Sequence, residues 1–102
     1  MTIIKKLSEM ISEELDDAEK YARCALNHKE DHPALADIFH RLSGDELQHA
    51  TTLHGAVVDL IEDYKRDHGE PPEAMKAVYD YLHEQQIDHA AEVKVLRNMY
   101  KE

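Results

Sequence analysis

Tryptophan is missing from this sequence, phenylalanine and cysteine occur once each, and glycine and proline three times each. So few aromatic residues and so little turn punctuation argue against a sheet, while the many Ala, Leu, Glu, Lys and Ile residues favour helices. The single Cys24 excludes an intramolecular disulfide framework and any CxxC metal knuckle, and reads as a small hydrophobic residue at a helix edge. Basic residues are outnumbered, 12 Lys and Arg against 22 Asp and Glu, for a formal charge of −10. Nucleic acid and anionic membrane surfaces both require basic patches, so neither is expected as a partner. No apolar run approaches the roughly 20 residues of a membrane span. The start, Met1-Thr2-Ile3-Ile4-Lys5-Lys6, meets charge too early for a signal-peptide core, and a cytoplasmic location is expected.

What is present is helical periodicity. The 102 residues form one expected domain, 1–102, long enough for one core that buries roughly 60–65% of the unfolded chain's surface. Ile4, Leu7, Ile11, Ala18, Ala22 and Ala25 recur at threes and fours, predicting one helix over about Thr2 to Asn27. The polar run His28 to His32 before Pro33 is a turn, with Asp31 or His32 as N-cap and Pro33 near the first helical position. A second helix, with Leu35, Phe39, Leu42, Leu53, Ala56 and Leu60 as its stripe, runs to about Arg66. Gly69 with Pro71 and Pro72 ends it, and a third helix runs from about Glu73. Short turns make neighbours antiparallel, so the expected fold is all-α, an up-down-up bundle of three long helices. The third helix carries two apolar bands. Met75, Val78, Tyr79, Leu82, Val93, Leu96 and Tyr100 form the main one, and Ala77, Tyr81, Val95 and Met99 a second. The second band is expected to complete the bundle by homo-oligomerisation, as a dimer or larger assembly.

Some charged residues interrupt these stripes. Glu14 falls between Ile11 and Ala18, and Glu46 and His49 occupy positions where leucines are expected. A buried charge without a partner costs several kcal/mol, so a counter-charge or a metal is expected at that depth. Residues equally far from a hairpin turn lie side by side. A turn centred near residue 31 places Glu14 between Glu46 and His49, and one near residues 69 to 70 brings His89 and Glu92 to the same height. Asp88 lies one step further toward the second band. The candidate ligands are therefore Glu14, Glu46, His49, His89 and Glu92, with Asp88 in reserve. Carboxylates with imidazoles suit Fe, Mn or Zn. Tyr21 shares the side of Glu14. His28, His32, His40, His54 and His68 read as turn or surface residues.

Glu14 with Tyr21 seven residues on, followed by Glu46-Leu47-Gln48-His49, resembles the first two helices of ferritin-like and rubrerythrin-like di-iron carboxylate proteins. Such a site takes a Glu from each of two helices and a Glu-x-x-His from each of the other two. The segment Val78 to Glu84 is similar to the last-helix motif of rubrerythrins, with Asp80 and His83 in place of that family's Glu and His. Asp80 and His83 fall opposite Asp59 and Ala56, about 15 Å from the height of Glu46, and so are a rival to His89 and Glu92. The resemblance implies one or two bound ions, iron first, and oxygen or peroxide chemistry. The chain departs from it in having three helices rather than four and no cysteines for a rubredoxin-type centre, so an external electron donor is implied. The competing reading is a non-enzymatic interaction bundle whose Glu and His residues form a metal-free buried network that fixes register. No catalytic residue is assigned.

Overall fold

The computed structural model describes residues 2–102, and these form three helices, α1 (Thr2–His28), α2 (Pro33–His68) and α3 (Glu73–Lys101). They lie side by side in a rod 55 × 18 × 17 Å. Its length is that of α2, whose 36 residues span about 54 Å at 1.5 Å per residue. Pro33 opens α2 at the position where its missing N–H is no loss. Gly69 closes it at φ 78°, donating its N–H to the Lys65 carbonyl. His32 stands at the N-cap without a capping side-chain hydrogen bond. Among the described residues, no helix is long and apolar enough to cross a membrane.

The centre of the bundle is α1. Its buried residues, Ile4, Ser8, Ile11, Leu15, Ala18, Ala22 and Ala25, alternate steps of four and three without a break, the seven-residue repeat of a coiled-coil seam. Ala36, Ser43 and Ala50 are the buried residues of α2, again seven apart. These seams are narrow and made largely of small side chains, which lets α1 and α2 approach closely. Ser43 uses that closeness, donating its hydroxyl to the Ala18 carbonyl at 2.8 Å.

The buried stripe of α2 is thus displaced from the expected one. Leu35 is exposed and Leu42, Leu53 and Leu60 are half-buried, flanking the seam instead of filling it. The reason is steric: at the shortest helix separation only Ala and Ser fit, so larger side chains are pushed to the flanks. On α1, Ser8 and Leu15 take the deep positions and Leu7 stays at the edge.

α3 runs parallel to α1 and antiparallel to α2. It packs along α1, whereas α2 and α3 meet at few points. Val93 is its buried residue, and Tyr81, Val95 and Met99 of the second band are exposed. Polar contacts hold it in place. Gln86 donates to the Ser8 carbonyl at 3.0 Å, Arg97 to the His40 carbonyl, and Tyr100 to the Asp37 carboxylate. Lys29 donates to the Tyr100 carbonyl at 2.7 Å, tying the first turn to the end of the chain.

Candidate metal centre

The Ser43–Ala18 contact centres the first hairpin between Glu30 and Asp31, which sets Glu14 level with the turn of α2 holding Glu46 and His49. Their donor atoms lie within 4.8 Å of one another, and this is the metal-competent group of three found among the described residues. His49 Nδ1 is 3.4 Å from Glu14 Oε2 and 3.8 Å from Glu46 Oε2. Donors bound to one ion at about 2.0–2.2 Å stand at most about 4.4 Å apart, so these separations fit a shared cation. The carboxylates are largely covered, with 27% of the Glu14 and 19% of the Glu46 side chain accessible. The His49 ring is 58% accessible and forms the open side of the group.

Crowding is visible in the protonation of Glu46. Its hydrogen bond with Glu14, burial and the negative charge of Glu14 push its carboxyl up to about 7, against a smaller opposing effect of His49. Two carboxylates this close cannot both ionise freely, and either a proton or a cation must stand between them.

The other expected ligands lie elsewhere. His89 is at the anticipated height but on another side of α1, with Nε2 2.8 Å from Glu19 Oε1 and Nδ1 3.8 Å from Asp16 Oδ1. Glu14 and the pair Asp16 and Glu19 point about 140–160° apart around the helix axis. Distance from a turn determines height along a bundle but not direction around it, and this separates His89 from Glu46. Glu92 and Asp88 line an open groove with His89, Asp16 and Glu19. Asp80 and His83 face another cavity, with His54. Arg23 and then His89 hold the Glu19 carboxyl below the usual range.

Nothing in the periodicity of α1 singles out Asp16 and Glu19, because one helix's pattern cannot show that a second neighbour covers its flank. His54, read as a surface residue, is half-buried. Its signal was present in the Leu47–Ala50–His54 spacing, which follows the seam. Tyr21 stacks on Phe39 with centroids 6.2 Å apart, closing the hairpin above Glu14.

A family model for rubrerythrin matches residues 5–102. The chain belongs to the rubrerythrin family. The rubrerythrin match spans all three helices, so α3 belongs to the family's domain as much as the hairpin does. No curated protein and no solved structure matches the chain.

Proposed function

We propose that this rubrerythrin-family chain binds one or two iron or manganese ions through Glu14, Glu46 and His49 and acts in oxygen or peroxide reduction coupled to iron oxidation. The observation that carries the reading is the convergence of two carboxylates and an imidazole within the reach of one cation, with Glu14 and burial pushing the Glu46 carboxyl up to about 7. Family membership supports iron as the first choice, with Mn or Zn as alternatives by donor chemistry. Bound iron would supply the electrons for the redox step. The chain's own residues do the rest. Glu14 and Glu46 supply carboxylate oxygens and balance the charge of the ion, His49 supplies Nδ1 from the open side, and Glu46 gives up its proton when the ion arrives.

The accessible His49 ring leaves room for a small oxidant to approach, while the Tyr21–Phe39 stack covers one end. Electrons would come from an external donor in the cytoplasm. Exposed Tyr81, Val95 and Met99 support self-association through α3, as a dimer or larger assembly. The alternative, an interaction bundle in which Glu14, Glu46 and His49 are a metal-free network, draws on the same Glu14–Glu46 hydrogen bond.

Loading tag-free protein anaerobically with Fe(II) separates the two. One or two ions per chain in wild type, falling to near zero in Glu46→Ala/His49→Ala, is the expected result. Near-zero metal in both proteins would leave the interaction bundle. Sedimentation as a pure monomer would remove the oligomer.

A further inference from the structure

The stripe of α2 picked out by its periodicity, Leu35, Phe39, Leu42, Leu53, Ala56 and Leu60, lies beside the contact with α1, and none of it is buried. Together with Glu46 and His49 it steps by four and three from Leu35 to Leu60 without a break. That is a second seven-residue repeat, next to the buried seam of Ala36, Ser43 and Ala50. A seam of this period packs lengthwise on another helix. α1 occupies the first seam and touches only the near flank of the second, through Tyr21 on Phe39 and the Ile11–Leu15 cluster on Leu53. Ile3 and Met10 of α1, both exposed, stand on the side of Glu14 and widen the same face. The rod is 55 Å long and 18 Å across, so one side offers about 1,000 Å². Each partner of a standard interface buries roughly 800 Å².

The order of residues along the stripe shows what fits it. From the midpoint between Glu46 and His49, Leu42 and Leu53 are equidistant, as are Phe39 and Ala56, and Leu35 and Leu60. A two-fold axis at that midpoint lays α2 of a second copy antiparallel on this one. Leu35 then faces Leu60 of the second copy, Leu42 faces Leu53, and each Glu46 faces the other copy's His49. A carboxyl group opposite an imidazole is a hydrogen-bonding pair, whereas a parallel arrangement would set Glu46 against Glu46. α3 packs on another side of α1, through Ser8 and Glu19, and leaves the face clear.

We propose that a second copy of this chain docks on this face, its α2 antiparallel to α2 about a two-fold axis between Glu46 and His49. Glu14, Glu46 and His49 of both copies then lie inside one interface, enclosed at each end by leucines. The interface goes beyond the metal binding proposed above and stands without it. It is also separate from the exposed band of α3.

The test is sedimentation equilibrium of tag-free, full-length protein with Mn(II) and with a chelator, where a dimer is expected in both. Leu35→Glu and Leu60→Lys should each weaken it at least about tenfold, and Thr52→Glu, on an exposed face of α2 away from the stripe, should not. The double variant Leu35→Glu/Leu60→Lys should dimerise more tightly than either single one. The two positions are 25 residues apart, about 37 Å along one helix, so they can compensate each other only between antiparallel copies. Circular dichroism checks that all variants stay helical. A monomer in both conditions overturns the proposal, as do single variants that dimerise like wild type or a double variant no tighter than the singles. Metal counting separates this outcome from that of the metal reading: a dimer that binds no Mn(II) leaves the interface standing, and a monomer that binds it overturns the interface alone.

Discussion

Ser43 donates its hydroxyl to the carbonyl of Ala18 at 2.8 Å, and both residues are fully buried where α1 and α2 come closest. This contact fixes the register that brings Glu14 opposite Glu46 and His49. Ser43→Ala removes one net hydrogen bond and should cost about 1 kcal/mol. Ser43→Leu overfills the seam, should cost about 1–3 kcal/mol, and should separate the metal group. Each kcal/mol moves the thermal midpoint by about 4–8 °C for a domain this size. Melting curves with and without metal check both. The Leu variant should lose the metal-induced rise in midpoint, and the Ala variant should keep it.

The helical glycines differ in their surroundings. A Cβ at Gly55 meets nothing within 4 Å, so Gly55→Ala should stabilise the protein by about 0.8–1 kcal/mol through helix propensity alone. At Gly44 a Cβ would stand 2.9 Å from Arg97 Nη2. The guanidinium must then move and release the His40 carbonyl, offsetting the propensity gain. Gly44→Ala should be near neutral in urea denaturation, with faster amide exchange in the last two turns of α3.

Metal binding should depend on pH through Glu46. Its carboxyl, pushed up to about 7 by Glu14 and burial, is protonated below that value, and an ion must displace the proton. Affinity should rise with pH up to about 7 and then level off. Calorimetry in buffers of different ionisation enthalpy should find proton release at pH 6 and less at pH 8. The same group sets a linkage in metal-free protein. A carboxyl whose folded-state pKa is raised contributes stability that is complete below its unfolded value near 4.5 and is lost as pH rises through about 7. Glu46→Gln should flatten that decline.

Glu19 works in the opposite direction. Its pKa is lowered by Arg23 and His89, so its contribution is present above the unfolded value near 4.5 and is lost as pH falls through the lowered one. Glu19→Gln should reduce the acid-side loss of stability, and amide exchange around His89 in α3 should become less sensitive to acid.

Much of this was legible in the sequence. Periodicity, Pro33 and the Gly69 turn located three helices to within a residue or two, because each boundary has a local chemical cause. Hairpin geometry also set heights well: His54 with His83, His40 with Arg97 and Asp37 with Tyr100 all pivot about the same point, between His68 and Gly69. Direction around the helix was harder to read. A hydrophobic stripe assumes that the largest apolar residues lie deepest. Here Ala18, Ala22, Ala36 and Ser43 do, and that rotates α2 so that His49 becomes exposed and Glu46 half-buried. The same rotation turns His54 inward. For His89, the obstacle was that α1 has two neighbours, and its own pattern does not show which flank each one covers.

The most direct measurement is the location of the ion itself. Crystals grown with Mn(II) should show an anomalous scattering peak within about 2.0–2.3 Å of carboxylate oxygens of both Glu14 and Glu46 and of the His49 ring nitrogen. Metal-soaked crystals with no peak between these residues, and a Glu14–Glu46 hydrogen bond still in place, would contradict the account.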